Sequence, residues 1–158
     1  MKDIKRGIIQ KEGNSMITIE PISHEDLTAL NGLYEELMGV SGSLSRMNTV
    51  YDHIAANSQY RLLGAKCDGE LAGSITCILC WDLVGDCRPF MLIENVVVSS
   101  RFRRLGIGNR LMEHAEHIAR SYECTCTMLI SGSQRTEAHR FYEALGYTVD
   151  VKGFKKML

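Results

Sequence analysis

The chain has 158 residues, 45% of them apolar and 23% charged, and its 18 Lys and Arg against 19 Asp and Glu leave a net charge of −1. That composition excludes a disordered or fibrous chain and fits one globular domain with a sizeable core. A dedicated nucleic-acid binder would carry a marked basic excess, and no run approaches the roughly 18 unbroken apolar residues of a membrane span, so neither partner is expected.

Residues 1–15 are polar and lack a clear period, so they read as a loose N-terminal leader ahead of a single domain over 16–158. No apolar stretch follows the opening charges, so no secretory signal is read and a cytoplasmic location is expected. Residues 16–21 alternate as a short strand. Ser23, with Asp26 three positions on, predicts a helix start, and Leu27, Leu30, Leu33, Tyr34 and Leu37 recur at helical spacing. A second, weaker helix is expected over about 45–57. Residues 61–67 and 70–81 read as two strands joined at Asp68-Gly69, a strong hairpin signal. A turn near Gly85-Asp86 leads to a strand over 90–98.

The second half changes style. Ile107, Leu111, Ala115, Ile118 and Ala119 form the stripe of a helix over about 104–121. Residues 124–130 read as a buried strand, 136–145 as a helix closed by Gly146, and 147–151 and 154–158 as two closing strands. The order is β-α-α-β-β-β-α-β-α-β-β, an α/β class chain with an α+β mixed sheet, antiparallel first and with one parallel crossover.

Six cysteines stand at 67, 77, 80, 87, 124 and 126. A chain of this size with its own core has no need of staples, so reduced thiols are expected. Cys77 and Cys80 sit three apart on one strand and point to opposite faces, which argues against a shared zinc. His114 and His117, on the polar face of their helix, lack the spacing of a metal motif. No metal site is expected.

The most informative stretch runs from Leu92 to Leu111. A β-branched strand enters a basic, glycine-containing turn, Arg103-Arg104-Leu105-Gly106-Ile107-Gly108-Asn109, and then an amphipathic helix. Such a turn presents unpaired backbone N–H groups and the positive end of a helix dipole to an anion. Gly106 and Gly108 permit close approach of the backbone to a phosphate. Leu111 stands where a Rossmann fingerprint needs a small residue, and Asn109-Arg110 stands where a P-loop needs Lys-Ser/Thr.

At these residues the chain resembles the GCN5-related N-acetyltransferase (GNAT) superfamily. Arg103-Arg104-Leu105-Gly106-Ile107-Gly108 matches its acetyl-CoA signature Arg/Gln-x-x-Gly-x-Gly/Ala. About thirty residues on, Ala138-His139-Arg140-Phe141-Tyr142-Glu143-Ala144-Leu145-Gly146-Tyr147 matches the family's Ala-x-x-Phe/Leu-Tyr-Glu-x-x-Gly-Phe/Tyr run. The element order agrees over about nine-tenths of the chain. Arg135 departs from the pattern, because many members carry Asn three residues before the Ala.

The resemblance implies a GNAT-like acyl-CoA N-acyltransferase fold and transfer of an acetyl group from acetyl-CoA to a primary amine, with a small molecule as acceptor and no metal. Cofactor contacts are then expected from Val96, Val97 and Val98, acting through their backbone, from Arg103, Arg104, Leu105, Gly106, Ile107, Gly108 and Asn109, and from Arg135 and Ala138. Period-two alternation puts Glu94, Val96 and Val98 on one face and Ile93, Asn95 and Val97 on the other, and both are mostly apolar, so the strand reads as buried on both sides, where a carboxylate is costly without a partner or a wet cleft. Glu94 is therefore the candidate base, relayed through water, and the bland alternative is a cleft-lining or arginine-paired carboxylate. Tyr142 matches the family's general acid, and its bland alternative is a packed helix aromatic. A CoA-binding sensor or partner subunit without catalysis is the second functional reading, another phosphate ligand such as a nucleotide is the third, and homodimerisation is left open.

Overall fold

The computed structural model describes residues 10–12, 15–149 and 153–158. The elements are β1 (Gln10–Glu12), β2 (Ser15–Pro21), α1 (Leu27–Met38), α2 (Leu44–Ala55), β3 (Tyr60–Cys67), β4 (Glu70–Cys80), β5 (Phe90–Val98), α3 (Ile107–Ser121), β6 (Thr127–Leu129) and α4 (Thr136–Ala144). Short 3-10 turns precede α1 at His24–Asp26 and follow β5 at Ser100–Phe102. Among the described residues six strands lie in sequence order, and β1 to β5 pair antiparallel. The bonds Thr125 N to Pro89 O (2.8 Å) and Met91 N to Cys126 O (3.0 Å) advance together along both segments, so the chain entering β6 runs parallel to β5. By internal packing the chain divides into two compact units, Met1–Met128 and Leu129–Leu158, described separately below.

In the first unit, local chemistry sets the elements. Asp68 (φ 50°) and Gly69 (φ 87°) are both left-handed and close the β3–β4 hairpin, as the dipeptide predicts. Ser23 donates its N–H and its hydroxyl to Asp26 Oδ2, each at 2.9 Å, and so fixes the chain ahead of α1. Gly39, left-handed at φ 75°, ends α1. Leu27, Leu30 and Leu33 of α1 bury with Ile22, Leu71 and Val97. Ile107, Leu111, Met112, Ala115, Ile118 and Ala119 of α3 bury likewise. Both helices pack on β4 and β5. Two strands about 4.8 Å apart make a strip only one helix wide, so α1 and α3 take opposite faces of the sheet.

Several expectations need correction. The leader is not wholly without structure, because Gln10–Glu12 pairs with β2; residues 1–9 and 13–14 lie outside the described residues. The strand over 124–130 shrinks to Thr127–Leu129 and is half-exposed to exposed rather than buried. The closing strands are not seen: 147–149 and 153–158 carry no regular structure, and 150–152 lie outside the described residues. Short apolar runs are weak strand predictors, because pairing and not local propensity makes a strand. The buried thiol of Cys77 is pushed up to about 12 by burial, with Cys80 half-buried on the same strand. Among the described residues no three His, Cys, Asp or Glu side chains gather as metal ligands, and no helix is long and apolar enough to cross a membrane.

Candidate active site

β5 is not the uniformly buried strand that its two mostly apolar faces suggest. Met91, Ile93 and Val97 are buried, while Leu92, Glu94, Val96 and Val98 are half-exposed and Asn95 is exposed. The cause is a bulge. Between the pairs Ser74–Val97 and Thr76–Glu94, β4 advances by two residues and β5 by three. Asn95 absorbs the extra residue with φ 53°, a left-handed conformation that Asn tolerates better than most residues. The ladder is interrupted beside Val96, and backbone there is left for another partner. Glu94 sits at the edge of this interruption, opposite Thr76, on the more open face. It is therefore half-exposed, not enclosed by the sheet on both sides.

The same strand delivers the chain into the basic turn. Ser99 N donates to Ala72 O at 2.9 Å, which carries the pairing one step past β5. The turn then takes two left-handed residues, Arg104 (φ 66°) and Gly106 (φ 70°), and Gly106 is the N-cap of α3. Arg110 N donates to Gly106 O at 3.1 Å as the first bond of the helix. The N–H groups of Ile107, Gly108 and Asn109 precede any intrahelical acceptor and point out of the helix start. Ile107 is buried and anchors the turn's far side, whereas Arg103, Arg104, Leu105 and Asn109 are exposed. Gly73 on β4 makes room for this arrangement: a Cβ there would lie 2.8 Å from Val97 O, 3.2 Å from Ile107 Cγ2 and 3.3 Å from Leu111 Cδ1.

The arginines of the turn divide. Arg101 pairs with Glu70 through its two terminal guanidinium nitrogens and lies over the Phe102 ring at 5.2 Å, so its charge is already engaged. Arg103 and Arg104 are exposed beside the helix start. The turn is also tied to α1 by a residue absent from the sequence expectations. Glu36 Oε1 accepts from Ser99 Oγ at 2.9 Å and Oε2 from Ser100 N at 2.8 Å. The Ser100 N–H, then the Ser99 hydroxyl and the Arg103 charge, hold the Glu36 carboxyl below its ordinary value against a smaller opposing effect of burial. No local pattern could have announced this contact, because its partners are 63 and 64 positions apart. Asn95, a polar residue inside a β-branched run, was the available signal for the bulge.

His114 is half-buried on α3 rather than solvated, and burial, with the nearby His117, lowers its pKa.

In the second unit, Arg135 is the exposed N-cap of α4 and Ala138 is half-buried on it. Tyr142 is half-buried, with its ring 5.3 Å from Phe141 and 6.1 Å from Tyr147. Tyr147 N donates to Tyr142 O at 3.1 Å, closing the end of α4 past the left-handed Gly146 (φ 89°). His139 Nε2 lies 2.9 Å from Gly132 O, which also accepts from Arg135 N at 2.9 Å, so the approach to α4 is a closed turn.

A left-handed N-cap glycine, free helix-start amides, exposed arginines and an interrupted strand ladder fit a ligand that carries both phosphates and amides. Among known proteins, the chain is 35% identical over 65 residues to Uncharacterized N-acetyltransferase YhdJ of Bacillus subtilis (strain 168), a stretch that is 40% of this chain and 46% of that protein. The match thus spans about half the length of that curated relative. A solved structure of a putative acetyltransferase from Agrobacterium tumefaciens str. C58 superposes with TM-score 0.83 at 25% identity, covering 89% of this chain and 99% of that one. A transcriptional regulator from Bacillus halodurans C-125 shares the fold with TM-score 0.84 at 24% identity, covering 90% and 99%. The Acetyltransferase (GNAT) family matches residues 27–147, which include the bulged strand, the basic turn and α4. The chain belongs to the GNAT family of acetyltransferases.

Proposed function

We propose that this acetyltransferase moves the acetyl group of acetyl-CoA onto the primary amine of a small molecule, in the cytoplasm. The observation that carries the reading is the continuity of the bulged strand with the turn capped by Gly106. The helix-start amides at Ile107, Gly108 and Asn109, with Arg103, Arg104 and the Leu105 backbone, suit the diphosphate. The backbone of Val96, Val97 and Val98 beside the bulge suits the pantetheine amides. Arg135 and Ala138 at the start of α4 are assigned to the cofactor by their place in the family motif.

Acetyl transfer needs a deprotonated amine, donors for the oxyanion and a proton for the departing thiolate. In this reading Glu94, half-exposed and so open to water, takes the amine proton through a water molecule. The amine nitrogen attacks the thioester carbonyl carbon, and the carbon–sulfur bond breaks as the tetrahedral species collapses. The Tyr142 hydroxyl gives its proton to the sulfur, and the second proton shed by the acylated nitrogen restores the phenol. Titrating the chain with acetyl-CoA and separately with ATP tests the ligand: saturable binding of acetyl-CoA alone is expected, and preference for ATP would overturn the reading. A panel of amines with a free-thiol readout then tests the reaction. Thiol release stimulated by no amine, with acetyl-CoA binding intact, would favour a CoA-binding sensor.

A further inference from the structure

We propose that Glu36 is a positioning residue for the diphosphate-binding turn, a role that rests on the acetyl-CoA reading above. The turn hangs between two supports. At its far side, Ile107 and Leu111 bury against the sheet. At its near side, Ser99 is held to β4 by its N–H bond to Ala72 O, and Ser99 and Ser100 are held to α1 by the two oxygens of Glu36. Ser99 Oγ in turn accepts from Arg101 N at 3.4 Å, so the hydroxyl links the carboxylate to the first peptide of the 3-10 turn. Without Glu36 the residues between Ser100 and Gly106 lose their tie to α1 and gain freedom that a bound diphosphate must remove again. That entropy appears as weaker binding.

Charge makes the proposal discriminating. Glu36 also faces Arg103, on the turn that would receive a polyanion. If the carboxylate acted only through its charge, removing it would release Arg103 and tighten binding. If it acts by holding Ser99 and Ser100, removing it weakens binding.

The test is calorimetric titration of acetyl-CoA into the full chain as wild type, Glu36→Ala, Glu36→Gln and Ser99→Ala. Glu36→Ala is expected to raise Kd about five- to tenfold, the size of one ordinary hydrogen bond. The thermal midpoint without ligand should stay close to wild type. Glu36→Gln should fall between, because its amide oxygen still accepts from Ser99 while its amide nitrogen cannot accept from Ser100. Ser99→Ala should weaken binding on its own and add little in the Glu36→Ala background, since both break the same link. Should Glu36→Ala fail to fold, the Gln and Ser99→Ala variants carry the same comparison. Unchanged or tighter binding by the folded variants would overturn this role alone. A wild-type chain that binds no acetyl-CoA would overturn it together with the acetyl-CoA reading.

Discussion

Lys66 Nζ lies 2.9 Å from Asp26 Oδ1 while Ser23 occupies Asp26 Oδ2, so one carboxylate joins β3 to the start of α1. Asp26 is only 9% exposed, and Lys66 also reaches Glu20 at 2.8 Å. Burial alone would raise the Asp26 pKa, but Lys66 and Ser23 together outweigh it and hold the carboxyl below its ordinary 3.8. A depressed folded-state value means that Asp26 contributes stability above about pH 3.8, lost as the pH falls below it. Lys66 is shifted the other way by Glu20 first and then Asp26, so its contribution holds below 10.5 and is lost above its raised value. Asp26→Asn is expected to cost about 1.5–3 kcal/mol near neutral pH and less near pH 3. Urea unfolding of both chains at the two pH values checks this; an equal difference at both would assign the cost to packing.

Gly106→Val should damage both binding and stability. A β-branched side chain at φ 70° costs roughly 1–3 kcal/mol of backbone strain, and it crowds the helix-start amides. Gly106→Asn separates the two effects, because Asn accepts the left-handed region. The Asn variant should recover most of the lost thermal midpoint and still bind acetyl-CoA less well than wild type. Full recovery of binding by Asn would show that conformation, not bulk, matters at this position.

Gly73→Ala is expected to destabilise the chain by about 1–3 kcal/mol, an overpacking cost. Its Cβ meets the Val97 carbonyl oxygen at 2.8 Å, which is backbone and cannot swing away. Because Val97 adjoins the bulge, acetyl-CoA affinity should fall as well. A variant as stable as wild type would show that β4 can shift from Val97 and α3 without cost.

Tyr142→Phe should lower turnover about 10²-fold with acetyl-CoA affinity kept, the size of effect for a lost acid. The ring contacts with Phe141 and Tyr147 survive the change, so the packing around this ring should be kept. Steady-state kinetics with titration of acetyl-CoA checks both halves, and undiminished turnover would leave Tyr142 a packing residue. Glu94→Gln should likewise reduce turnover by about 10²-fold or more without weakening acetyl-CoA binding.

How much was legible depended on how far apart the interacting residues lie. The Asp68-Gly69 turn, the Ser23–Asp26 pair and the α3 stripe were readable, because each is fixed within a few residues by dihedral preference, side-chain reach or helical period, whereas the helix start moved from the expected 104 to Ile107, behind a left-handed Gly106. The openness of β5 was not readable from alternation, because the bulge at Asn95 is settled by registry against β4.

The sequence by itself determined the family, the order of the core elements and the basic turn, since these rest on local pattern and on a motif contiguous in the chain. Only the tertiary structure decided that Glu94 is half-exposed, that Arg101 is spent on Glu70, and that Glu36 braces the turn from α1. These depend on packing that brings distant residues together, and a side chain's neighbours across the fold leave no periodic trace in its own segment.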